Sequence, residues 1–207
     1  MKVLLINTSP HKSGCTFTAL SEVEKVLNEN GVETVWFQVG NREIRGCLAC
    51  GACRKTGKCA FGDADGVNEC SALLKECDGL VVGSPVHYAS VCGACSSLMD
   101  RLFYQGGAFA GKPAAAVVSC RRGGASAAFD RMNKYFTISG MPVVSSQYWN
   151  SVHGNSPEEV KQDLEGLQVM RTLGRNMAWL LKCIQLGKEN GISYPEREPR
   201  VATNFIR

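Results

Sequence analysis

Short apolar runs alternate with amphipathic stretches along the chain. Val3–Ile6 is continuously apolar and breaks into the small polar run Asn7-Thr8-Ser9-Pro10. From Phe17 to Asn30 apolar residues recur at helical spacing (Leu20, Val23, Val26-Leu27), and Gly31 is a natural C-cap. The pattern then predicts a strand over Val32–Val39, a helix over Val67–Cys77, a strand at Leu80–Gly83 and a helix over Cys92–Tyr104. It continues with a strand at Ala114–Ser119, a helix over Ala125–Thr137 and a fifth strand at Met141–Ser146. A polar, aromatic loop, Tyr148–Ser156, leads to a long helix from Pro157 to Lys188, with an interruption expected near Gly174. Strands alternating with helices imply a parallel sheet covered on both faces, an α/β three-layer αβα architecture.

Two segments fall outside that rhythm. Residues 40–65, rich in glycine and cysteine, are too long for a plain connection, and loops of that length in compact domains are usually functional. Residues 191–207 hold two prolines and several charges, and are expected to lie extended on the surface or against a partner subunit. The division expected is therefore one domain, 1–190, with an insertion at 40–65, and a tail.

The 207 residues suffice for one well-buried domain, and 44% hydrophobic with 20% charged residues is ordinary for a globular chain. The net charge of +4 comes with no basic, aromatic-studded stripe, which argues against nucleic acid as a partner. No apolar run approaches the roughly 20 residues of a membrane span. Met1-Lys2 passes straight into a strand without a signal peptide, so a cytoplasmic location is expected. In such a compartment the eleven cysteines read as a metal or redox set, where clustered, and as small buried hydrophobes, where scattered.

The step from the first strand into the first helix is a ready anion site, because free N–H groups and the helix dipole point at it. Ser9, Ser13 and Thr16 add hydroxyl donors, and His11 and Cys15 lie in the same loop. Gly14 alone does not make a dinucleotide G-x-G-x-x-G fingerprint, and no Gly-Lys-Ser/Thr closes a Walker loop. A hydroxyl loop suits a mononucleotide's terminal phosphate, and it serves equally as an ordinary capped turn. If the sheet is doubly wound in the order 2-1-3-4-5, the loops Ser9–Thr16, Ser84–Val91 and Ser119–Gly124 meet where the order reverses. In the second, Ser84-Pro85-Val86-His87-Tyr88 combines a stiffened turn with faces for a flat aromatic ligand. In the third, Arg121, Arg122, Gly123 and Gly124 can border a polar ring edge or attract phosphates, or simply be a surface turn.

The first loop resembles the phosphate loop of flavodoxin-like FMN proteins, commonly Ser-Pro-Arg-Lys-x-Gly-Asn-Thr. Ser9, Pro10, Lys12, Gly14 and Thr16 match it, and His11 and Cys15 depart from it. The second resembles the Gly-Ser-Pro-Val-Tyr-Phe/Tyr loop of NAD(P)H-dependent FMN reductases and iron–sulfur flavoproteins, with His87 replacing the commoner aromatic; as there, a helix follows that ends near Met99-Asp100-Arg101. The resemblance runs from the first strand to the helix near Trp179. It implies a flavodoxin-like five-stranded sheet, noncovalent FMN, and a homodimer or homotetramer. It also implies electron flow from NAD(P)H or ferredoxin through FMN to a quinone, a free flavin or another small acceptor.

Cys47, Cys50, Cys53 and Cys59 have the form C-x2-C-x2-C-x5-C on a glycine-rich loop, with Arg54, Lys55 and Lys58 beside them. Four thiolates so spaced can wrap a cubane cluster, hold a structural zinc, or remain reduced or redox-active thiols. The spacing is similar to the compact motif of the iron–sulfur flavoproteins, which implies a 4Fe–4S cluster relaying electrons to FMN. Cys92 and Cys95 form a further C-x2-C at a helix start, read as packing. Gln147–Gly154 can line a substrate or nicotinamide pocket or pack beneath the last helix. The stripe Leu164, Leu167, Met170-Arg171, Leu173, Met177 and Trp179-Leu180 is core or dimer seam. Three function classes remain: an FMN-dependent oxidoreductase, an electron carrier exchanging single electrons with ferredoxin, and a metal-stapled redox sensor without flavin.

Overall fold

A computed structural model describes residues 1–107, 109–199, 201–203 and 205; Ala108, Arg200, Asn204, Ile206 and Arg207, the last four in the expected tail, lie outside them. Four parallel strands make up most of the sheet: β1 (Lys2–Asn7), β2 (Glu33–Gln38), β3 (Gly79–His87) and, after a short hairpin strand β4 (Ser90–Val91), β5 (Ala114–Cys120). An edge strand β6 (Ser151–His153) completes the order β2-β1-β3-β5-β6, with β4 antiparallel to β3. This is the doubly wound order expected, with one strand added.

Alternation along β1 makes the three layers. Val3 and Leu5 pack with Leu20, Val23 and Leu27 of α1 (Cys15–Glu29) and Leu173 and Met177 of the last helix, α7 (Leu164–Glu189). Leu4 and Ile6 face the other way, toward Leu74, Leu98, Met99, Met132 and Phe136. Those residues belong to α3 (Val67–Glu76), α4 (Gly93–Tyr104) and α5 (Ala125–Ile138). The remaining helices, α2 (Ala52–Thr56) and α6 (Pro157–Val160), are single turns.

Three sequence expectations are corrected. The fifth strand is not Met141–Ser146: that segment meets the sheet at one bridge, Val143 with Ala114, and the true edge pairing is Ser151–His153 with Val118–Cys120. The intervening residues loop out and are held by Asn176, whose Nδ2 donates to the Ser145 carbonyl, and by the Thr172 hydroxyl donating to Gln147 Oε1. The last helix breaks at Lys161–Asp163, where the Asp163 carboxylate caps α7 through the Gly166 N–H, and not at Gly174. Gly174 lets α7 approach α1: a Cβ there would stand 2.9 Å from Val26 Cβ. Finally, Ser84–Val91 is no open loop but the end of β3 turned into a hairpin. Pro85 is tolerated inside a central strand because β1 stops pairing at Gly83, so its missing N–H costs no ladder bond on that side.

The stripe on α7 divides. Met170, Leu173 and Met177 are core, and Leu164 and Trp179 are exposed. Beyond α7 the described tail has no regular structure and lays Tyr194 against Gly111, its hydroxyl donating to the Gly140 carbonyl.

Candidate functional site

The carboxyl ends of β1, β3 and β5 bring the three loops together. Helix α1 begins at Gly14 with no side-chain cap among the described residues and no acidic residue in its first turn. Its first N–H groups therefore lack an internal partner, and the positive end of its dipole is unopposed. A cleft of about 510 Å³ opens there, lined by Pro10, His11, Lys12, Ser13, Gly14 and Cys15 on one side and Asn155, Ser156 and Pro157 on the other. That is within the size range of small-molecule sites.

The loop's shape is fixed by residues the sequence did not single out. Asn7 Oδ1 accepts from the Ser9 N–H at 3.1 Å, Asn7 Nδ2 donates to Gln38 Oε1 at 2.7 Å, and Gln38 Nε2 returns to the Ser9 carbonyl at 2.9 Å. Ser9 Oγ in turn accepts from the His11 N–H. The expected binding residues then divide by burial. His11 and Ser13 are exposed, whereas Ser9, Thr16, Ser84 and Ser119 are buried. Thr16 and Ser119 share a 2.8 Å hydroxyl–hydroxyl bond that ties α1 to β5, and Ser84 Oγ accepts from the Cys92 N–H and donates to the Pro85 carbonyl. Cys92, at the helix start read as packing, donates its thiol to the Thr8 carbonyl and bridges β1 to β3. Cys15 is half-buried with its thiol toward the Gly154 carbonyl; burial pushes that thiol up and keeps it protonated.

The hairpin holds the residues of the second loop. His87 pairs with Ser90 across the two-residue turn Tyr88-Ala89, whose φ values are 49° and 58°. Such turns normally use Asn and Gly, and left-handed backbone costs an ordinary residue about 1–2 kcal/mol. Tyr88 is fully exposed at its tip, and Pro85 and Val86 are half-buried below. The third loop abuts this strained turn. Gly124 sits at φ +92°, and a Cβ there would lie 2.6 Å from Ala89 Cα and 3.1 Å from Val86 Cγ1. Arg121, Arg122 and Gly123 are exposed beside it.

The chain matches the model of the NADPH-dependent FMN reductases over residues 1–156. The chain belongs to that family. It is an FMN-dependent oxidoreductase by that membership. An iron–sulfur flavoprotein of Methanocaldococcus jannaschii is 32% identical over 200 residues, covering 89% of this chain and all of the relative. One of Methanosarcina thermophila is 28% identical, covering 91% of this chain and all of its own length. Among solved structures, a flavodoxin from the Archaea superposes with a TM-score of 0.59 at 18% identity, over 88% of this chain and 99% of its own; that likeness concerns the fold.

FMN is tested by this end of the sheet: an uncapped helix start with hydroxyls of Ser13 and Ser156 at the cleft, and, in the third loop, a glycine where any Cβ would push the hairpin away. The group fits. The second candidate site is the cysteine loop. Cys47, Cys50, Cys53 and Cys59 are free thiols that line one cavity together with Phe61, Arg101, Tyr104 and Gln105. Left-handed backbone at Ala49, Gly51, Gly57 and Gly62 curls the loop, and the Ala49 N–H donates to Cys47 Sγ at 3.3 Å. Asn68, at the start of α3, pins the Cys59 backbone from both sides, accepting from its N–H at 2.8 Å and donating to its carbonyl at 3.1 Å. Gln105 is buried with neither its amide oxygen nor its nitrogen partnered among the described residues. A buried amide left so costs about 1–3 kcal/mol. No three His, Cys, Asp or Glu side chains among the described residues close on a point the size of a single ion. The thiols surround a space of about 30 Å³, close to one water's share of liquid volume.

Arg101 is the residue the sequence left unassigned here. It is the largest fully buried side chain, beneath the Phe61 ring at 4.8 Å. Burial alone would lower its pKa, but bonds to Asp65 and Cys59 outweigh it and hold the guanidinium charged, its pKa above the usual value.

Proposed function

We propose that the chain takes electrons from NAD(P)H onto FMN bound at the three-loop cleft and delivers them to a quinone, a free flavin or another small acceptor, with a 4Fe–4S cluster on Cys47, Cys50, Cys53 and Cys59 as a relay. The observation that carries the reading is the meeting of α1's uncapped start, the β3 hairpin and Gly123–Gly124 at one end of the sheet in a chain of this family.

Bound there, FMN would supply hydride and single-electron transfer chemistry. The chain's residues position it. The N–H groups opening α1, with Ser13 and the backbone around Ser9 and His11, hold the phosphate; Thr16, Ser84 and Ser119 act from below by fixing the strand ends that carry those groups. Pro85, Val86, His87 and Tyr88 form the wall for the ring, and Gly123 and Gly124 let the third loop close on it, with Arg121 and Arg122 as cations for the nucleotide's phosphates. A residue acting as proton donor is not required.

A cluster would be held by Cys47, Cys50, Cys53 and Cys59, which line one cavity. Cys47 already accepts an N–H bond, Cys59 accepts two, and Gln105 lines the same cavity. When bound, it supplies one-electron transfer.

Exposure of Cys47 and Cys50, among Arg54, Lys55 and Lys58, favours a second reading, an electron carrier that docks an acidic partner of the ferredoxin kind. Anaerobic mixing of the flavin-loaded protein with NADPH, NADH or reduced ferredoxin separates the two. Bleaching of the flavin by a nicotinamide, with turnover on added quinone, is the expected result. Reduction by ferredoxin alone would establish the carrier instead.

A further inference from the structure

The Arg101 guanidinium has five N–H donors, and five bonds account for them. Nε and Nη2 donate to Cys59 Sγ at 3.3 and 3.1 Å, Nη1 donates to the Arg45 carbonyl at 3.2 Å, and both Nη1 and Nη2 donate to Asp65. The charge lies 1% exposed in side-chain terms, and Asp65 only 11%, so solvent screens neither well. Arg101 comes from α4, whereas Cys59, Arg45 and Asp65 all belong to the insertion. A brace for this loop needs only the carbonyl and the carboxylate. Two N–H groups aimed at one sulfur do something more.

We infer that Arg101 is a positioning residue that sets the reduction potential of the iron held through Cys59. This rests on the cluster reading above. Reduction adds one electron, taken in the experiment from dithionite, and neither makes nor breaks a bond. The added negative charge is shared by the thiolate sulfurs, so N–H donors and a buried cation at Cys59 favour the reduced form and raise the potential. Asp65 opposes this by offsetting part of the cation's charge.

The two residues therefore predict shifts of opposite sign. In the full-length protein loaded anaerobically, Arg101→Gln should weaken the preference for the reduced cluster about tenfold, equivalent to about 59 mV downward for one electron. Asp65→Asn should move the potential upward. Arg101→Lys, which keeps the charge but lacks the planar fork, should fall between Gln and wild type and safeguards against misfolding. The readout is an EPR-monitored dithionite titration, with iron and sulfide measured on each sample. Equal potentials in all four proteins, or shifts of the same sign for Arg101→Gln and Asp65→Asn, overturn the inference and leave Arg101 a brace. A wild-type protein with FMN but no iron or sulfide overturns the cluster reading and this inference together, and is distinguished by that analysis alone.

Discussion

The sheet-end cleft and the cysteine loop are built on different principles. At the sheet end, each loop is the direct continuation of a strand: β1 into α1, β3 into its hairpin, β5 into Gly124 and α5. Buried bonds such as Thr16 to Ser119 lock those ends whether or not a ligand is present. The cysteine loop has one five-residue helix and borrows its order from neighbours, through Asn68 on α3 and Arg101 on α4. Two of its thiols are exposed, and the Gln105 amide beside them has no partner among the described residues. The cleft is preorganised by its own strands and helices, and the loop is held by side chains of its neighbours. The two sites should therefore fail independently.

The largest effect expected is at the loop. Cys53→Ser should reduce iron and sulfide to background, with bound FMN unchanged in the same sample; concurrent loss of flavin would show one site where two are described. The converse is Gly124→Val. Its branched side chain at φ +92° would drive into the Ala89 backbone, and strain of about 1–3 kcal/mol corresponds to roughly tenfold to hundredfold weaker FMN. Fluorescence titration of flavin-stripped protein reads this, and the iron content should not change. Thr16→Val tests the locking of the cleft. It leaves the buried Ser119 hydroxyl unpaired and should cost about 1–3 kcal/mol in urea denaturation, with the iron content unchanged.

The smallest effect distinguishes the loop's thiols from those of the core. Burial pushes the Cys95 thiol up to about 12 and also raises Cys70 and Cys77, against an ordinary value of 9.0. Below about pH 9 both folded and unfolded chains hold these protons, and the full stability is present. Above it the unfolded chain loses them first, so stability falls, by up to about 1.4 kcal/mol per pH unit for each thiol, until the folded thiols titrate. Urea midpoints at pH 8 and pH 10 should show the decline, with Cys95→Ala declining less. An equal decline in that variant would remove the buried thiol as its cause.

How much of this was legible follows the same division. The strand-to-helix steps of the cleft are local, written as an apolar run breaking into Ser9–Thr16, so they could be read from neighbouring residues. The hairpin was not, because Tyr88-Ala89 carries none of the Asn or Gly that a left-handed turn prefers, and Pro85 argues against a strand until one knows that β1 has already ended. Met141–Ser146 is apolar enough for a strand, but the edge was taken by Ser151–His153, a choice made by packing across the sheet. The four cysteines were visible by spacing. Arg101, Asp65, Asn68 and Gln105 were not, since their roles depend on where α3 and α4 bring them.

The most direct measurement is the absorption spectrum of protein purified without oxygen, with iron and acid-labile sulfide assayed on the same sample. The account predicts flavin bands together with iron and sulfide in equal amounts. A colourless protein that also fails to take up added FMN would contradict it.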